Sequence, residues 1–461
     1  MKKNKPQRNW LPRVRKLSPQ LSLALSFLTL ILIGTVLLAL PISREADGSA
    51  SWIDALFTAT SATCVTGLIT VDTGSYWSTF GQMVILVLIQ LGGLGIMTFS
   101  TFVVYLVARR LSLWNRDMLE QSVAGISKSN VGHLLLAIIL ITFLFEIIGA
   151  TILTFRFAAI YPLDEAIYIS VFHSISAFCN AGFSLFDTSF IDFRNDLVIN
   201  LTVMILIILG GIGFWVLVDL KNLIHRKRAV HSTSLHTRLV IYVSLILIVI
   251  GTLLLLGIEW NHSLRHLHWP NKLLVSAFQS VTARTAGFNT VDMAALTNAS
   301  LLLLILLMVI GASPGSCGGG IKTSTLAVTL AMIFARLRNK NQVQLLQRGI
   351  PDRTVSRSIG ITFFFIVTVA LFCMLLLITE HPSESLLPER SLFIQVVFEV
   401  ASAIGTVGLS MGLTPHLTEV GKVLISILMF VGRIGPVTLV LALSGTTHIN
   451  IRYAEDNVWV G

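Results

Sequence analysis

The sequence predicts an all-α polytopic membrane protein of four consecutive helix–pore-loop–helix repeats. Eight transmembrane helices and four short re-entrant pore helices are expected in pseudo-fourfold symmetry around one pore. Three observations predict this. Of 461 residues, 54% are hydrophobic and 12% charged, about half the ~25% charged share of a soluble domain. Long apolar runs alternate with short ones in one order, four times over. Each short run ends in a glycine followed by Leu or Phe. The composition excludes a water-soluble enzyme and a disordered chain. The net charge of +10 does not point to nucleic acid, because most Lys and Arg residues lie in short segments between apolar runs, as the positive-inside rule requires.

Residues 1–20 form a basic N-terminus with Lys2, Lys3, Lys5, Arg8, Arg13, Arg15 and Lys16. The apolar run near 21–41 matches a bilayer crossing of ~20 residues and exceeds a secretory apolar core of about 7–15. A retained first helix is expected. The other long spans fall near 79–107, 132–155, 197–220, 238–258, 300–335, 358–379 and 420–444. Within each pair lies a shorter segment: 52–63, 166–178, 271–283 and 391–403. Apolar segments of roughly 10–14 residues are more often re-entrant or interfacial than spanning. The repeats therefore cover 21–110, 111–225, 226–340 (with a broken second helix) and 341–447. A cytoplasmic tail, 448–461, follows.

The short segments end in CVTGL (Cys64–Leu68), CNAGF (Cys179–Phe183), RTAGF (Arg284–Phe288) and GTVGL (Gly405–Leu409), with glycines 115, 105 and 121 residues apart. A second marker follows each glycine by 24 to 28 residues: GGLGIM from Gly92, GGIGFW from Gly210, GASPG from Gly311 and GRIGPV from Gly432. Two markers in one order, four times, identify an internal repeat. With the N-terminus inside, cytoplasmic segments hold 23 Lys and Arg and outer segments seven. Both termini are then cytoplasmic and every glycine loop opens outward.

Non-helical backbone at membrane depth survives only where protein or a water-filled cavity surrounds it. Four such loops meeting on an axis would form rings of carbonyls, which can replace an alkali cation's hydration shell. Each short helix would aim its negative C-terminal end at that axis. The alternative is that the glycines are only tight turns between interfacial helices.

On these residues the chain resembles the Trk/Ktr/HKT potassium transporters, and within them the Ktr membrane subunits (KtrB type). The resemblance covers nearly the whole chain. It is carried by ARTAGFNTVD (283–292), GASPGSCGGGIKTST (311–325), GRIGPVTL (432–439) and the tail from Tyr453 to Gly461. It implies filter segments Val65–Thr66–Gly67, Asn180–Ala181–Gly182, Thr285–Ala286–Gly287 and Thr406–Val407–Gly408. Some HKT relatives carry serine at the first filter glycine and favour sodium. Gly67 is retained here, so potassium is expected. The resemblance further implies a homodimer in the cell inner (cytoplasmic) membrane. It also implies a cytosolic nucleotide-binding ring, KtrA- or KtrC-like, that opens the gate, and Na⁺ activation. No cofactor is expected in the chain itself, which has no nucleotide fingerprint and no hydrolase or metalloprotease motif.

Several residues at membrane depth draw a reading. In the third repeat, Gly311–Ala312–Ser313–Pro314–Gly315–Ser316–Cys317–Gly318–Gly319–Gly320 cannot continue a helix. It reads as an intramembrane loop, either a packing kink or, as the resemblance implies, a gate below the filter. Arg433, within the last helix, is costly there and belongs to a cavity or the protein interior. It is expected to serve the gate, or else to be satisfied by helix-end carbonyls. Arg284 should not face a cation path, so a structural pair with Glu399 is expected. Lys322 reads as a cytosolic anchor or as part of the gate. Asp72, Asp187 and Asp292, five residues after their glycines, suit either cation attraction at the mouth or loop capping. His262, His266 and His268 beside Trp260 and Trp269 read as interfacial rather than metal-binding. Cys64, Cys179, Cys317 and Cys373 lack metal spacing and read as buried thiols. Two other functions stay open: a sodium-permeable or non-selective cation transporter of the same fold, and a secondary transporter with paired broken helices around a midplane site.

Overall fold

Apolar runs whose backbone groups find no water must bond internally, and the chain does so as helices. The computed structural model describes residues 19–45, 51–95, 131–226, 234–380 and 392–435. The basic N-terminus before residue 19, residues 96–130 with the end of the span expected near 79–107, and residues 436–461 with the end of the last span and the tail lie outside the described residues. Among the described residues, four helices are long and apolar enough to cross a membrane: Leu21–Ala39, Leu136–Phe157, Leu235–Glu259 and Asp352–Thr379. They belong to α1 (Pro19–Ala39), α5 (Val131–Phe157), α9 (Leu235–Glu259) and α13 (Asp352–Thr379). Each leads a repeat. Their outward residues, such as Leu32, Ile147, Leu253 and Met374, are more than half exposed, which suits a lipid face.

Short helices follow: α2 (Trp52–Cys64), α6 (Leu163–Phe178), α10 (Trp269–Thr282) and α14 (Leu392–Gly405). Each buries a phenylalanine at matching depth: Phe57, Phe172, Phe278 and Phe398. Complete burial of such a ring contributes about 1.5–3 kcal/mol. The second helices are α4 (Thr79–Leu94), α7 (Leu197–Gly211) with α8 (Phe214–Arg226), α11 (Asn298–Val309) with α12 (Thr323–Leu337), and α15 (Glu419–Ile434). A one-turn helix, α3 (Thr73–Tyr76), precedes α4, and a hairpin of β1 (Gln344–Leu345) and β2 (Arg348–Gly349) follows α12.

Every second helix starts at a side-chain cap. Ser78, Asp196, Thr297 and Thr418 accept from the backbone N–H groups of Gly81, Ile199, Ser300 and Gly421. Each cap is worth about 1 kcal/mol. The caps are also tied to the end of the first helix or to the turn after it. Glu259 accepts from the Thr297 hydroxyl at 2.7 Å and Glu380 from that of Thr418 at 2.7 Å. Arg156 pairs with Asp196 at 2.5 Å. Ser78 donates to the Ile42 carbonyl at 2.6 Å. The third and fourth repeats thus close by the same Glu–Thr contact, the second by an ion pair and the first by a hydroxyl-to-carbonyl bond.

The expectation that only the third repeat breaks its second helix is corrected. The second repeat's helix bends by 99° between α7 and α8. The hinge glycine, Gly213, has φ +99°, and Gly95 and Gly435, at the matching places in the first and fourth repeats, have φ +75° and +89°. A positive φ ends an α-helix, and glycine adopts it without a Cβ clash. The second glycine of the GxxG marker is therefore a stop in three repeats. The third repeat instead inserts the loop between α11 and α12.

Candidate ion-conducting site

The four glycine loops share one backbone conformation. Val65, Asn180, Thr285 and Thr406 are left-handed at φ +57°, +59°, +77° and +50°, and Gly67, Gly182, Gly287 and Gly408 lie at φ +92°, +71°, +84° and +94°. Each left-handed non-glycine residue costs about 1–2 kcal/mol, so the surrounding protein must hold it. A hydroxyl in the last turn of each short helix does so. Ser61 and Ser402 accept from the Gly67 and Gly408 N–H groups at 3.1 and 3.0 Å. Ser176 and Thr282 donate to the Phe183 and Phe288 carbonyls at 2.8 and 2.7 Å. In three repeats this hydroxyl lies six residues before the glycine, and in the third it lies five before. The third loop is one residue shorter.

The loops close a ring. A Cβ on Gly67 would strike the Ala181 carbonyl oxygen, one on Gly182 that of Ala286, one on Gly287 that of Val407, and one on Gly408 that of Thr66. The contact runs from each repeat to the next and from the fourth to the first. The same Cβ positions lie within 3.1 Å of a neighbouring glycine Cα. All twelve residues expected as filter are therefore brought together, and Val65, Thr66, Asn180, Ala181, Thr285, Ala286, Thr406 and Val407 have no exposed surface. Short helices α2, α6, α10 and α14 each end immediately before this ring.

Beneath the ring lies the intramembrane loop. The Gly319 N–H donates to Thr406 Oγ1 at 2.9 Å, and Gly318 sits against Thr285 Oγ1. The Asn180 carboxamide reaches Thr285 Oγ1 at 3.3 Å and, with its NH₂ turned to the Phe178 and Ile207 carbonyls, accepts from that hydroxyl. The loop is also fastened to the second repeat's break. Ser313 N–H donates to the Gly211 carbonyl at 3.0 Å, Cys317 N–H to that of Gly210 at 3.2 Å, and Phe214 N–H to that of Gly315 at 2.9 Å. Where the loop crosses itself, a Cβ on Gly311 would lie 2.7 Å from the Gly320 Cα, which explains the glycine content.

Two cations hold this loop. Arg433 donates to the carbonyls of Cys317 and Gly92. Lys322 donates to the carbonyls of Gly318 and Gly319. Arg433 thus joins a helix-end carbonyl and a loop carbonyl at once. The Arg284–Glu399 pair is not formed. Arg284 donates to the Ser244 hydroxyl and carbonyl at 3.2 and 3.4 Å. Glu399 is filled by the Ser410 and Thr414 hydroxyls at 2.5 and 2.8 Å and the Met411 N–H at 3.1 Å. The carboxylate caps the stretch after its own glycine and has no free oxygen to offer an arginine on another repeat.

At the mouth, Asp72 caps Ser75 and Asp292 caps Ala294, as loop residues. Asp187 differs: the Asp72 charge and a hydrogen bond shared with it push its carboxyl above the usual aspartate range. Sequence reasoning missed this contact between two repeats. It also missed His173, stacked on Phe186 at 4.8 Å, with Nδ1 donating to the Ile169 carbonyl and Nε2 accepting from the Ser184 hydroxyl and the Leu185 N–H. The four cysteines are free and buried.

This geometry, a ring of four equivalent glycine loops over a loop held by basic residues, can be set against known proteins. The profile of the TrkH family, described as cation transport protein, matches residues 8–447. The chain belongs to the TrkH family of cation transport proteins. It is 41% identical to Ktr system potassium uptake protein B of Bacillus subtilis (strain 168), over 97% of this chain and 98% of that protein. It is 36% identical to the potassium/sodium uptake protein NtpJ of Enterococcus hirae, over 97% and 99%. The crystal structure of the potassium transporter TrkH from Vibrio parahaemolyticus is similar in fold, with TM-score 0.72 and 19% identity over 96% of this chain and 87% of that one. TrkH-family relatives are transporters, and the chain is a membrane transporter rather than an enzyme.

Proposed function

We propose that the chain is the membrane subunit of a potassium uptake system, carrying K⁺ down its electrochemical gradient through one pore per chain. The carrying observation is the closed cycle of contacts among Gly67, Gly182, Gly287 and Gly408. Carbonyls of the four segments would hold K⁺ stripped of water. The C-terminal ends of α2, α6, α10 and α14 add negative potential around it. The loop 311–320 would block the path below and move aside when its bonds to Arg433 and Lys322 release. The relatives' names support potassium as cargo and Ktr-type assembly. On that basis the chain works as a homodimer on a KtrA- or KtrC-like cytosolic nucleotide-binding ring, with Na⁺ as an activator. The 23-to-seven charge bias supports the cytoplasmic membrane with both termini inside.

A sodium-permeable variant of the same pore is the second reading, favoured by the potassium/sodium relative. Paired broken helices around a midplane site now have one more point in their favour, since breaks occur in more than one repeat. The fourfold ring still sets them aside, because that mechanism builds its site between two halves.

The test is ⁸⁶Rb⁺ uptake into proteoliposomes with K⁺ or Na⁺ as competitor, with the ring subunit and ATP present and absent. Uptake blocked by K⁺ and not by Na⁺, with that discrimination weakened in Gly67→Ser, is expected. Uptake equally blocked by both ions would establish the sodium-permeable reading instead. No uptake with the ring and ATP present would overturn cation transport by this pore.

A further inference from the structure

A groove of about 490 Å³ lies between α9, α12 and the basic stretch that follows α12. Its upper wall is apolar: Leu239 and Val243 of α9 face Leu330 and Phe334 of α12. Its lower rim is Arg338 and Lys340, with the β1–β2 hairpin beside them. The volume falls within the ~300–1,000 Å³ of small-molecule sites.

Three features identify its occupant. No Asp or Glu occurs between Asp292 and Asp352, while Arg336, Arg338, Lys340 and Arg348 do. Among the described residues, neither rim cation is in an ion pair. Outside the groove the apolar wall continues onto an exposed apolar surface, where Leu330 is 43%, Phe334 58% and Leu337 75% exposed. A trough that is apolar towards the membrane core and basic at the membrane surface matches one amphiphile in shape and sign: an anionic phospholipid. Basic pockets between membrane helices on the cytoplasmic side recognise such headgroups.

We propose that this groove binds an anionic phospholipid of the cytoplasmic leaflet. An acyl chain lies along Leu239, Val243, Leu330 and Phe334, and the phosphate meets Arg338 and Lys340. The site packs against α12, the helix that continues from the intramembrane loop, so lipid bound there would steady the loop's inner end. The proposal rests on the membrane reading and its orientation, and not on which ion is carried.

The full-length chain is purified in detergent with equal phosphatidylglycerol and phosphatidylcholine, and retained lipid is read by native mass spectrometry. Retention of phosphatidylglycerol by roughly tenfold over phosphatidylcholine is expected, falling to parity in Arg338→Gln/Lys340→Gln. The Leu330→Trp variant, which fills the trough and keeps the rim, should lose both lipids. Matching thermal unfolding of the variants in lipid-free detergent excludes misfolding as the cause. Parity in the wild-type chain, or an unchanged preference in the double variant, would overturn the site. Release of the lipid by millimolar glycerol phosphate would overturn it in favour of a small-anion site. Loss of ring-subunit binding with lipid retention intact would overturn it in favour of a protein docking face.

Discussion

The outer and inner ends of the four repeats differ in kind. At the outer end, four loops repeat one pair of left-handed positions and each leans on the next repeat's carbonyl. At the inner end, three repeats stop a helix at an equivalent glycine, and the third instead inserts a loop that reaches Thr285 and Thr406. Arg433 stands where the other repeats have Gly93, Gly211 and Ala312. The comparison shows what repetition is for. On the proposed reading, a ring that surrounds an ion needs the same backbone from every side. On the same reading a plug need come from one side only, which suits a loop inserted in one repeat and a charge inserted in another.

Substitutions at the two ends should separate these roles, with the greatest effect at the ring. Gly287→Ala combines positive φ with a clash at the Val407 carbonyl and should abolish ⁸⁶Rb⁺ uptake. Gly412→Ala is its control, since Gly412 has φ +86° and open space around it. It should cost about 1–2 kcal/mol of stability and leave ion selectivity intact. Equal effects of the two would reduce the ring to ordinary turns.

Arg433→Gln should raise uptake without the ring subunit by about tenfold. Hydrogen bonds from a charged group contribute about 1.5–3 kcal/mol, and here they hold the loop in place. Unchanged or lower basal uptake would remove Arg433 from the gate. Thr406→Val leaves the Gly319 N–H without its acceptor. It should raise basal uptake a few-fold, less than Arg433→Gln, and the reverse order would place the main tether at the filter.

The smallest effect concerns the mouth. Asp187 holds its proton to higher pH than an ordinary aspartate, because Asp72 faces it. A raised folded-state pKa means the ionised pair costs stability at neutral pH, and the cost fades as pH falls through that raised value. External acidification should therefore lower cation supply at a pH above the usual aspartate range. Asp187→Asn should remove this sensitivity and slightly raise thermal stability. A pH profile identical to wild type would leave the pair without a role in supply.

Much of the outer end was legible in the sequence, because the ring demands glycine at four places and a hydroxyl five or six residues before each. The inner end was less so. Gly95, Gly213 and Gly435 sit in apolar runs, and a glycine there is common in membrane helices that continue, so only the backbone reveals the stops. The Arg284–Glu399 expectation failed because pairing by charge alone ignores local acceptors. Glu399 was already filled by Ser410, Met411 and Thr414, all within fifteen residues of it. The Asp72–Asp187 contact joins residues 115 apart, a distance no local pattern spans.

The central claim is that the four glycine loops form one cation site. Crystals of the chain grown in Rb⁺ and measured at the rubidium absorption edge test it most directly. The account predicts an anomalous peak on the axis, surrounded by the segments 65–67, 180–182, 285–287 and 406–408. Rubidium bound elsewhere in the chain, with none inside that ring, would contradict it.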